Sequence, residues 1–129
     1  MRYFVQTLLF AAFCLQATAQ KLYRLPAKVG QGDYLAKTII LRVKPTFRTA
    51  CSNEKIDHAV FNNLASTIGA THLHKKFPLD KAPEKQFNEA GQAYADLSLI
   101  YELNYTADLQ IEKAISKLLT SGILMYAEP

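Results

Sequence analysis

The chain has 129 residues, half of them apolar and a fifth charged, with 15 Lys and Arg against 11 Asp and Glu and a formal charge of +4. That balance belongs to a chain that can bury a core rather than to a disordered one. The basic residues are scattered, whereas nucleic-acid recognition needs a dense basic stripe, so nucleic-acid binding is not expected.

The first twenty residues carry the pattern of a leader. Arg2 supplies a positive start, and Phe4 to Leu15 is an apolar run broken only by Gln6 and Thr7. The run falls short of the ~20 apolar residues a spanning helix needs. Ala17-Thr18-Ala19 then offers the small-x-small pattern of a cleavage site, so Ala17, Ala19 and Gln20 are assigned to signal cleavage before Gln20. Phe13 is too bulky to make Cys14 a lipid-attachment cysteine. The expectation is a secreted or periplasmic protein, with residues 1–19 removed and no membrane association afterwards. Residues 20–129 suit one domain with a core of its own. They retain one cysteine, Cys51, which cannot form an internal disulfide.

Residues 20–33, with Pro26, Gly30 and Gly32 and no sustained period, read as a flexible lead-in, and the domain is expected over 34–129. From Tyr34 to Lys44 the chain alternates, with Ile39, Leu41 and Val43 on one face, and Pro45 stops this first strand. Ser52 is the expected N-cap of a helix whose stripe is Ile56, Val60, Phe61, Leu64, Ala65 and Ile68, closed by Gly69 as a left-handed C-cap. Thr71 to Phe77 is a second expected strand that turns His72, His74 and Lys76 to one side. Asp80 to Asp96 is an expected long connection, with some helix over Glu84 to Tyr94. Leu97 to Tyr105 alternates again. Thr106 is the expected cap of a second helix with the stripe Ile111, Ala114, Ile115, Leu118 and Leu119, closed by Gly122, and Ile123 to Ala127 is a short last strand.

The order strand, helix, strand, strand, helix, strand defines an α+β, ferredoxin-like split βαβ fold (βαββαβ). It is a four-stranded antiparallel sheet with two helices on one face, and right-handed crossovers put the first and third strands in the middle. With Ile39, Leu41, Val43, Leu99, Tyr101 and Leu103 under the helices, Ile40, Arg42, Lys44, His72, His74, Ser98, Ile100 and Glu102 turn to the bare face. Ile40 and Ile100 form an apolar pair amid polar neighbours, the composition of a docking surface.

No catalytic residues are expected. The chain lacks a glycine-rich phosphate loop, an HExxH, a GxSxG and a serine paired with a base. Cys51 has no base beside it. His72 and His74 point the same way, but zinc needs further ligands that are not spaced for it, so neither metal nor other cofactor is expected. Asn104-Tyr105-Thr106 matches a glycosylation sequon inside an expected strand and is read as chance.

The closing Tyr126-Ala127-Glu128-Pro129, after an amphipathic helix and Ser121-Gly122-Ile123, resembles the end of the prodomain of secreted subtilisin-like serine proteases. His74-Lys75-Lys76-Phe77-Pro78 and Leu97-Ser98-Leu99-Ile100-Tyr101-Glu102-Leu103 stand in register with it, and the likeness covers about Tyr34 to Pro129. The resemblance implies an intramolecular chaperone and temporary inhibitor whose open sheet face docks on two surface helices of its protease. It implies a monomeric domain with the cognate protease as partner, in cis or in trans. Ile40, Arg42, His72, His74, Ile100 and Glu102 would line that face. Tyr126 would belong to the last strand, and Glu128 would meet the helix N-termini of the protease, where an anion is favoured. The Asp, His and Ser motifs of such a protease are absent, so hydrolysis is not expected, and the chain reads as the N-terminal part of a longer precursor. The alternative is a stand-alone exported binding module of the same fold.

Overall fold

A computed structural model describes residues 22–129; the cleavage residues Ala17, Ala19 and Gln20 lie outside them. The elements are β1 (Thr38–Val43), a 3-10 turn (Pro45–Ala50), α1 (Ala59–Thr67), β2 (Ala70–Lys75), a second 3-10 turn (Leu97–Leu99), β3 (Ile100–Tyr105), α2 (Ile111–Leu119) and β4 (Leu124–Glu128). All pairings are antiparallel and the strand order is β2-β3-β1-β4. The domain is therefore α+β, with the open four-stranded sheet and the connections of a ferredoxin-like split βαβ.

The core forms where the alternation put it. Ile39, Leu41 and Val43 of β1 and Tyr101, Leu103 and Tyr105 of β3 are buried together with Phe61 and Ala65 of α1 and Ile111, Ala114, Ile115 and Leu118 of α2. Burial of one such side chain, Phe61 for instance, contributes about 1.5–3 kcal/mol. Both helices lie on that one face of the sheet.

Element ends depart from the sequence reading, each for a local reason. β1 begins at Thr38 rather than Tyr34, because Lys37 has a φ of 58°, which an extended strand does not admit. Ser52 does not cap α1. Ser52 N donates to Lys55 O at 2.8 Å and Cys51 bridges to Ile56, so the segment is a tight turn that drives Ile56 into the core. His58 caps instead, its Nδ1 accepting from Phe61 N at 3.3 Å. Thr106 does not cap α2 either. Its hydroxyl and its N–H both donate to Gly69 O, at 3.1 and 3.0 Å, and α2 starts five residues on, after Gln110.

Over 80–96 no helix forms. Asn88 Oδ1 accepts from Ala90 N at 3.0 Å and Gln92 N at 2.8 Å, Gly91 has a φ of 75°, and Phe87 bridges to Ala93, which makes a small hairpin. Leu97 to Leu99 is a turn rather than strand, with Asp96 Oδ1 accepting from Ser98 N at 3.1 Å. That turn carries Ser98 to the inside, at 2% exposure, and removes it from the bare face.

Residues 22–37, which precede β1, have neither helix nor strand, and their first part lies along α2. Tyr23 N donates to Ser116 Oγ at 2.9 Å, and Tyr23 and Leu25 pack against the core.

Candidate docking face

Because one face of β1 is taken by the core, the alternate residues Ile40 and Arg42 point away from the helices. Register does the rest. Ile40 stands opposite Glu102 of β3 and Glu128 of β4. Arg42 stands opposite Ile100 of β3 and Tyr126 of β4. On the outer flank His74 pairs with Glu102 and His72 with Asn104. All six residues assigned to docking from the sequence therefore share one surface that neither helix covers, and Tyr126 and Glu128 lie on it too. Tyr126 and Glu128 were assigned to a separate contact. The pairing of β4 against β1 merges them with the rest, a fact of register that composition does not carry.

The apolar pair is altered. Ile40 and Ile100 are diagonal rather than directly opposed, and Ile100 is only 9% exposed, covered by its neighbours. Ile40 stays half-buried at the centre. Lys44 leaves the face at its end, its Nζ donating to Gly122 O at 2.5 Å.

Polar groups on the face are partly committed. Lys76 Nζ lies 2.6 Å from Glu102 Oε2. That hydrogen bond holds the Glu102 carboxyl below the ordinary carboxylate range against the opposing effect of burial, and the charges of Lys76 and His74 add to it. Asn104 Nδ2 donates to Thr38 Oγ1 at 3.1 Å, so the sequon asparagine is tied into two central strands. Arg42 differs. Its Nε is buried without an acceptor, and Arg42 takes part in no ion pair among the described residues.

At the edge of the face, Tyr126 and Glu128 also line a groove of about 530 Å³ with Leu22, Tyr23, Arg24 and Met125. Burial, then the charges of Glu128 and Glu112, push the Tyr23 phenol up.

Elsewhere, Cys51 is half-buried and its Sγ donates to Phe47 O at 3.4 Å. Burial pushes its thiol up, which disfavours the thiolate that a nucleophile requires. Tyr101 beside it donates to Ser52 O at 2.6 Å, and burial raises its phenol. Among the described residues no three His, Cys, Asp or Glu side chains gather to hold a metal ion, and His72 and His74 lie exposed.

Comparison with protein-family models, with curated proteins and with solved structures found no match to this chain.

Proposed function

We propose that this domain is the propeptide of a secreted subtilisin-like serine protease, a folding template and temporary inhibitor that docks by its open sheet face. The observation that carries the reading is the register. It gathers Ile40, Arg42, His72, His74, Ile100, Glu102, Tyr126 and Glu128 on a single face that neither helix covers. The resemblance of the sequence to such prodomains supplies the partner. A surface that binds only the native protease stabilises that state by mass action, which is what a template does for a slow, non-local fold. Exposed Glu128 at the rim suits an anion site at helix N-termini of the partner.

The test is binding of purified 20–129 to a mature subtilisin-like protease from the same source, by calorimetry and by inhibition of peptide hydrolysis. Saturable binding is expected, and Ile40→Asp, checked for folding by circular dichroism, abolishes it. A folded domain that does not bind overturns the protease reading and leaves an exported binding module with a partner of another kind.

A further inference from the structure

The two halves of the chain are interleaved in the sheet. The first half supplies β1, α1 and β2, and the second supplies β3, α2 and β4. With the order β2-β3-β1-β4, every ladder joins one half to the other. Neither half contains a strand pair of its own. The excursion between β2 and β3 is the covalent link between them, and its backbone is open to attack. From Lys81 to Lys85 no residue makes a backbone–backbone hydrogen bond among the described residues. Every residue from Leu79 to Phe87 except Pro83 is exposed, Leu79 at 91% and Phe87 at 56%, so apolar anchors stand ready for a cleft. Pro83 biases Ala82 to extended backbone, the form in which a protease takes a chain.

We propose that residues 79–86 are a cleavage site for an endoprotease, and that one cut there switches the domain off by parting its interleaved halves. The step is hydrolysis of one peptide C–N bond: water gives its hydroxyl to the carbonyl carbon and a proton to the nitrogen. Because the stretch is exposed and unbonded, the cut proceeds from the native state, without prior unfolding. While tethered, the halves meet at roughly millimolar effective concentration. After the cut, at nanomolar protein, that falls by roughly a million-fold, against folding constants of about 10³–10⁸ for small domains. The cut domain therefore holds together when concentrated and comes apart when diluted. The bare face goes with it, since Ile40, Arg42, His72 and His74 come from one half and Ile100, Glu102, Tyr126 and Glu128 from the other. The inference rests on the fold, whatever partner that face meets.

Two measurements test it. In the first, trypsin at a low ratio is applied to the 20–129 domain and the products are read by intact mass. The expected early cut divides the domain after Lys81 or Lys85, and the double variant Lys81→Gln/Lys85→Gln is expected to stay undivided about tenfold longer. Early cuts within β1 or α2 while the excursion stays intact overturn the proposal, and so does a double variant divided as fast as wild type. In the second, the domain cut at these bonds is repurified and unfolded in urea over about a thousandfold range of concentration. Its midpoint is expected to fall on dilution while that of the uncut domain does not. The separated halves are expected to regain the circular dichroism of the sheet only when mixed. A midpoint independent of concentration overturns the switch, and so does a half that folds alone.

Discussion

Asp96 shows how one side chain fixes where a strand begins. It is 6% exposed, accepts from the backbone and hydroxyl of Ser98 at 3.1 and 2.6 Å, and pairs with Arg48 from the turn after β1. Burial by itself would raise its carboxyl, but the hydrogen bonds from Ser98 and Arg48 outweigh it, and the net displacement is below the ordinary value of 3.8. A carboxyl depressed on folding contributes stability that is complete above the unfolded value and disappears as pH falls through the folded one. The contribution of Asp96 is thus present at neutral pH and lost progressively below about pH 4. Asp96→Asn is expected to destabilise the domain by about 1–3 kcal/mol at pH 7, because Arg48 and Ser98 lose an ionic acceptor. In urea titrations the gap between variant and wild type should narrow at pH 3, and a gap that does not change with pH would sink this account. Nothing in the sequence distinguishes Asp96 from other polar loop residues. The alternation Leu97, Leu99, Tyr101 runs straight through the turn, which is why Ser98 read as outward.

At the scale of elements, periodicity identified both helices and all four strands, while capping chemistry misled. Ser52 and Thr106 are good cap residues by type, but each is used elsewhere: one in a turn that buries Ile56, the other against Gly69 O. Propensity is local, and a competing hydrogen bond decides, within a turn for Ser52 and across 37 residues for Thr106. Gly69 was legible because its requirement is steric. It has a φ of 67°, and a Cβ there would meet Thr106 Oγ1 at 2.6 Å. Gly69→Ala combines a left-handed penalty with that clash and is expected to cost about 1–3 kcal/mol, read from the denaturation midpoint. Retention of wild-type stability would show that the junction between α1 and β2 relaxes freely.

For the molecule as a whole, the fold was legible and the face only half so. Element order dictated the sheet, and the sheet dictated which side lay bare. Which residues meet across strands depends on register, and register places Tyr126 and Glu128 beside Arg42 and Ile40. The excursion between β2 and β3 adds little to this frame. Its ends are held, by Lys76 N to Ile100 O at 2.9 Å and by Asp96, while Leu79 is 91% exposed and Phe87 and Tyr94 are also outside. Replacement of 79–94 by a short Gly-Ser turn is expected to change stability by less than about 1 kcal/mol, since loop length enters closure entropy only logarithmically. Chemical denaturation measures it, and a larger loss would mean that the hairpin packs on the domain.

The central place of β1 has a consequence for synthesis. Both of its partners, β3 and β4, come from the far half of the chain. At roughly 5–20 residues per second, the ribosome takes about 4–16 s to pass from the end of β1 to the start of β4. During that interval Ile39, Ile40 and Leu41 emerge as an apolar ribbon with both sides open, the kind of segment that pairs with other nascent chains. Arg42 and Lys44, at its trailing end, are then the charges that oppose pairing of newborn copies, before the sheet that will hold them exists.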